Sequence, residues 1–153
     1  MEVEIKHFSE EYSAGARDLI LSILAKEYPF DRPAYSDTDL EKIGQIYGGE
    51  RDSFFIGERE GKVVGTVGIK EDDKDSALLR RLFVSALHRR KGIGTKLLDK
   101  ALEFCSSRGY RKIIFRCTDR MRDAMRLCEK KGFKETEALD MGGFRIHKLM
   151  LTL

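Results

Sequence analysis

The segment Arg89-Arg90-Lys91-Gly92-Ile93-Gly94-Thr95 carries the densest chemistry in this sequence. Three cations precede two glycines, and the glycines open a helix-like run from Ile93 to Arg108. Glycine lets the backbone approach a ligand closely, and the first N–H groups of a helix have no partner inside it. A helix start also carries partial positive charge, which favours a bound anion by about 0.3–1 kcal/mol when exposed. Arg89, Arg90 and Lys91 add full charges, and the arginines add forked donors. A diphosphate is the ligand such a segment suits.

Two other phosphate-binding loops fail on spacing. A Walker A loop ends in Gly-Lys-Ser/Thr, whereas here Gly94-Thr95-Lys96 inverts the order. A dinucleotide fingerprint needs Gly or Ala where Leu97 stands, and its first glycine directly after a strand. Asp119, after the next strand, is the one residue that would suit a ribose contact.

The elements around the loop follow from periodicity. Val3, Ile5 and His7 alternate with charged residues and predict an opening strand over Glu2 to His7. Ala16, Leu19, Ile20, Ile23 and Leu24 recur at helical spacing over Ser13 to Tyr28, and Pro29 stops the run. Tyr28 to Ser36 reads as an irregular loop. Asp37 to Tyr47 reads as a second helix ended by Gly48-Gly49. Ser53 to Gly57 and Lys62 to Lys70 form a hairpin across Glu60-Gly61. A strand over Ala77 to Val84 leads into the loop, and the following helix buries Ile93, Leu97, Leu98, Ala101, Leu102 and Cys105. Arg111 to Cys117 is a further strand, Met121 to Lys131 the last helix, and Phe133 to Ala138 with Phe144 to Leu151 the closing strands. The order β-α-α-β-β-β-α-β-α-β-β predicts one mixed α/β (α+β) domain over residues 1–153.

The pattern Arg89-x-x-Gly92-x-Gly94, after a strand ending in Leu82-Phe83-Val84, resembles the acyl-CoA signature of the GNAT N-acetyltransferase superfamily. The hairpin Gly57 to Gly68 and the block Ala124 to Phe133 are similar to the family's segments on either side of it. The resemblance implies the GNAT fold, a central mixed sheet flanked by about four helices, with acetyl-CoA as acyl donor. It would place acetyl-CoA against Leu82, Phe83, Val84, Arg89, Arg90, Lys91, Gly92, Ile93, Gly94 and Thr95. The pantetheine arm would enter a gap between two diverging strands, and the Val84 backbone N–H would face the thioester oxyanion. The implied reaction is direct acetyl transfer to a primary amine of a small molecule or a peptide. A homodimer is compatible with this resemblance.

Three positions depart from the family's pattern. Cys128 stands where relatives carry a Tyr that protonates the leaving thiolate; its thiol either takes that catalytic role or only packs. Leu78 stands where many carry a Glu base, and Met121 where many carry Asn. Glu71, Asp72, Asp73 and Asp75 read as a solvated acidic turn and His88 as surface, so no base is named. By the same resemblance Tyr28 to Tyr47 borders the acceptor cleft, with Tyr28, Phe30, Asp31, Tyr35, Asp37 and Asp39 as groups suited to an amine. Loss of both usual proton-transfer side chains leaves an acyl-CoA-binding sensor as the second reading.

Charge agrees with an anionic donor. Residues 1–76 hold 10 Lys/Arg against 18 Asp/Glu, and residues 77–153 hold 19 against 8. No basic stripe interleaved with aromatics suggests nucleic acid. The longest apolar run, Leu19 to Ala25, is far below a membrane span, and the acidic start reads as lacking a signal peptide. Three cysteines without a CxxC pair suit a reducing, cytoplasmic setting, and no metal is assigned.

Overall fold

Phe54 and Phe55 show how the sheet is covered. Successive strand side chains point to opposite faces. Phe55 meets Phe104 of one helix layer at 6.1 Å between ring centroids, and Phe54 meets Tyr47 of the other at 5.1 Å. The computed structural model describes residues 2–34 and 36–153. Its elements are β1 (Glu4–His7), α1 (Ser13–Glu27), α2 (Ile43–Ile46), β2 (Ser53–Arg59), β3 (Lys62–Glu71), β4 (Ser76–Val84), α3 (Ile93–Ser107), β5 (Lys112–Thr118), α4 (Arg122–Lys130), β6 (Lys134–Asp140) and β7 (Arg145–Thr152). The strands form one sheet in the order β1-β2-β3-β4-β5-β7-β6. It is the mixed α/β arrangement that the periodicity predicts, with seven strands and four helices.

The expected second helix is the main local difference. Asp37 to Tyr47 folds as a 3-10 turn over Thr38–Glu41 and the single turn of α2. The chain breaks at Lys42, whose φ/ψ of −139°/42° is not helical. Asp39 in the first piece is held by Arg81 of β4, while Ile43 and Tyr47 pack into the core. Tertiary anchoring overrides helix propensity over so short a run.

α3 lies close against the sheet because β3 is bare there. A Cβ on Gly65 would sit 2.8 Å from Leu97. Ile93, Leu97, Leu98, Ala101 and Cys105 are all buried on that side, and Leu102 of the expected stripe is partly buried.

One pairing in the sheet is parallel. β4 and β5 are in register from Ser76↔Lys112 to Leu79↔Phe115, and pairing stops there although both strands continue. The cause lies in β4. Its register against β3 slips between Thr66↔Phe83 and Gly68↔Arg80, and Arg81 has φ 56°. A left-handed residue in a strand makes a bulge that bends it. β4 therefore turns away from β5, and the sheet opens at that point.

Candidate active site

The mouth of α3 lies beside this opening. Gly92 caps the helix at φ 80°, ψ 8°, and no side chain caps it in addition. Lys96 N–H donates to Gly92 C=O at 3.0 Å. The N–H groups of Ile93, Gly94 and Thr95 therefore have no acceptor within the helix. Arg90 is also left-handed, at φ 64°. Left-handed residues set among others gather successive N–H groups into an anion-binding concavity.

The two glycines serve different needs. Nothing lies near a Cβ built on Gly92, so its requirement is the positive φ. A Cβ on Gly94 would sit 3.0 Å from Leu127 Cδ2 and 3.7 Å from Val84 Cγ2. Gly94 keeps the groove open between β4 and α4.

That groove has a volume of about 660 Å³. It brings together Leu82, Phe83, Val84, Arg89, Arg90, Gly92, Ile93, Gly94 and Thr95 of the predicted set. Lys91 points elsewhere, into a neighbouring pocket with Arg59 and Lys96. Arg89 also differs from the expectation of a free phosphate fork. Its Nη1 and Nη2 donate to the two Glu27 oxygens at 2.6 and 2.7 Å, and its Nε donates to Val84 C=O at 3.0 Å. Arg89 ties the loop to the end of α1. Arg126 and Lys130 of α4 line the groove instead, one helical turn apart. Sequence reasoning did not single them out; their i, i+4 spacing on a helix facing the loop was the available signal.

Ser85 N–H donates to Val64 C=O at 2.8 Å across β3 and β4. Along an extended strand the neighbouring N–H turns to the opposite side. Val84 N–H is thereby aimed at the gap where β5 has left. A smaller cavity of about 300 Å³ opens beyond the gap, lined by Leu78, Arg80, Arg81, Ile114, Arg116 and Ser36. Leu82, Phe83 and Met121 line both spaces and form the wall between them.

The acidic residues expected to meet an amine are committed to other contacts. Asp31 is fully buried; it accepts Thr118 Oγ1 at 2.5 Å and pairs with Arg120. Asp39 is buried and accepts Arg81 Nη2 at 2.5 Å and Tyr47 Oη at 2.7 Å. Burial alone would raise its carboxyl pKa, but the Arg81 and Tyr47 hydrogen bonds outweigh burial and hold it below the ordinary value. Phe30 is 76% exposed. Tyr28 lines the groove rather than the cavity, and burial, then Glu27, raises its pKa. Asp37 is half-buried, and Tyr35 lies outside the described residues.

Cys128 is placed in the core. It is fully buried and absent from the groove wall, which α4 presents through Asp123, Ala124, Arg126, Leu127 and Lys130. Burial pushes its thiol pKa far up. Of its two readings, the geometry matches packing. Met121 is buried against the wall and Leu78 faces the cavity. The acidic turn sits at the start of β4, the end away from the gap, where Asp73 accepts the Asp75 and Ser76 N–H groups at 2.8 Å each. His88 borders the groove, and burial, then Arg59 and Lys91, lowers its pKa. Asp119 accepts Arg145 N–H at 3.3 Å and ties β5 to β7.

A sheet opened at β4–β5 beside a bare helix mouth is the arrangement that the GNAT resemblance implies, and comparison with known proteins agrees on the fold. The acetyltransferase (GNAT) family model matches residues 17–133. Human N-acetyltransferase 8 is 37% identical over 105 residues, covering 65% of this chain and 46% of the relative. A GNAT-family acetyltransferase structure from Staphylococcus aureus has a TM-score of 0.79 at 25% identity, covering 96% of this chain and 99% of that one. A ribosomal-protein-alanine N-acetyltransferase structure from Brucella melitensis has a TM-score of 0.84 at 18% identity, covering 98% and 99%. The chain belongs to the GNAT acetyltransferase family. It spans about half the length of the curated relatives it matches.

Proposed function

We propose that this chain is a single GNAT domain that transfers the acetyl group of acetyl-CoA to a primary amine. The observation that carries the reading is the uncapped, left-handed mouth of α3 beside the opening between β4 and β5. The mouth and the nearby Arg90, Arg126 and Lys130 suit the diphosphate. The gap suits the pantetheine arm, which can pair with the backbone that β5 leaves free. An acetyltransferase structure from Salmonella typhimurium was determined with its cofactor acetyl-CoA and shares the fold at a TM-score of 0.79.

In this reading the amine is delivered from the 300 Å³ cavity side and loses a proton to water. Its nitrogen attacks the thioester carbon, and Val84 N–H stabilises the oxyanion that forms. The C–S bond then breaks as the nitrogen gives up its second proton to water and the departing sulfur takes a proton from water, leaving a neutral amide. Positioning and backbone donors supply most of the rate, because Leu78 and the buried Cys128 offer no proton transfer. Three unpaired, buried cysteines support a cytoplasmic setting. Among the described residues no helix is long and apolar enough to cross a membrane.

The absent proton-transfer side chains also favour the sensor as a second reading. Thiol release from acetyl-CoA in the presence of an amine panel decides between them. Release above the amine-free rate supports transfer; saturable binding with no release for any amine supports the sensor.

A further inference from the structure

The cavity on the acceptor side has an unexpected charge. Leu78 and Arg80 of β4, and Ile114 and Arg116 of β5, all line it. Leu78 pairs with Ile114 in register, so Arg80 and Arg116 stand next along the two strands, where the strands part. Residues two apart in a strand share a face, so both guanidinium groups project to one side. Like charges opposite each other on neighbouring strands are destabilising. Neither Arg80 nor Arg116 makes an ion pair with any described residue; Arg80 sits 6.0 Å over the Tyr47 ring and feels the Asp39 charge from beyond contact distance. Arg81, the third cation on the wall, is neutralised by Asp39. Among the described residues no carboxylate side chain lines the cavity.

This arrangement repels a simple cationic amine and leaves two cations without a close ion-pair partner among the described residues. We propose that the acceptor is a small amine that also carries a carboxylate, of the free amino-acid class, with Arg80 and Arg116 as its carboxylate clamp. The size agrees. About 300 Å³ is the lower end of small-molecule pockets. Arginine presents a planar fork matched to a carboxylate. A carboxylate held beside the parting strands keeps the adjacent amine at the gap, facing Val84 N–H. The inference rests on the acetyl-transfer reading and names the substrate class for that site.

The test measures thiol release from acetyl-CoA with matched acceptors: leucine, leucinamide and isopentylamine, and phenylalanine with phenethylamine. The expected result is a kcat/KM for the amino acids at least about tenfold above that for the amide and the amines, the scale of one charge-assisted contact. Arg116→Gln and Arg80→Gln should each shrink that ratio about tenfold, mainly through a higher KM for the amino acid. Arg116→Lys should restore part of it. Amines or leucinamide acetylated as well as the amino acids would overturn the clamp while leaving acetyl transfer intact. Thiol release with none of the acceptors would overturn both.

Discussion

Arg81 and Asp39, 42 residues apart, form a buried ion pair with Nη2 and Oδ1 at 2.5 Å and side-chain exposures of 5% and 6%. Arg81 is also the residue whose positive φ bends β4 away from β5. The contact that fixes the 3-10 turn over Thr38–Glu41 beside the cavity therefore also holds the bulge that opens the sheet. Thr66 Oγ1 donates to the Arg81 carbonyl at 2.7 Å and secures its backbone as well.

Asp39→Ala leaves the Arg81 charge buried without its partner. The expected loss of stability is about 3–5 kcal/mol, measured by urea unfolding. Arg81→Met with Asp39→Leu removes both charges and should lose less than Asp39→Ala alone. A larger loss in the double variant would contradict this account of the pair.

The same pair gives a pH dependence. The folded Asp39 carboxyl pKa lies below its ordinary 3.8, so its stabilisation is complete above that value and is lost as pH falls below it. The stability gap between wild type and Asp39→Asn should be constant from pH 5 to 7 and narrow below about pH 4.

Glu27 touches none of the loop's glycines, yet it holds Arg89 through two hydrogen bonds. Glu27→Gln should weaken acetyl-CoA binding severalfold by loosening the loop, and Arg89→Gln should weaken it by a similar factor. If only Arg89→Gln acts, the guanidinium contacts the ligand directly.

Cys128→Ala should lower stability by roughly 1–2 kcal/mol through a small core cavity and leave the pH–rate profile unchanged. A basic limb lost from that profile would return the thiol to a catalytic role. In the folded protein Cys105, Cys117 and Cys128 should all resist an aqueous thiol reagent, because all three are buried.

Gly94→Ala should weaken acetyl-CoA binding modestly, since the new methyl presses on Leu127 at 3.0 Å. Leu127→Ala in the same chain should recover part of the loss, a coupling that a double-mutant cycle reads directly. Simple additivity would mean the methyl meets the ligand rather than Leu127.

Much of the frame was legible because it rests on local pattern. Periodicity placed α1, α3 and the strands to within one or two residues, with β2 and β6 each running two residues past their expected ends. The mouth of α3 was legible as Gly92 and Gly94. What sequence did not reveal depends on distant partners. Arginine rarely adopts a positive φ, and nothing near Arg81 signals that it does. The Arg89–Glu27 and Arg81–Asp39 pairs join segments 62 and 42 residues apart. They also removed Asp39 and the Arg89 fork from the roles their composition suggested. The spacing from Ala124 located Cys128, but which face of α4 meets the groove depends on how that helix docks.

Calorimetric titration of acetyl-CoA into the wild-type protein and into Gly94→Trp tests the central claim most directly, with circular dichroism confirming that both are folded. The account predicts saturable one-to-one binding to the wild type and none to the variant, whose indole fills the space between Val84 and Leu127. Equal affinity in the two would show that the mouth of α3 does not hold the diphosphate.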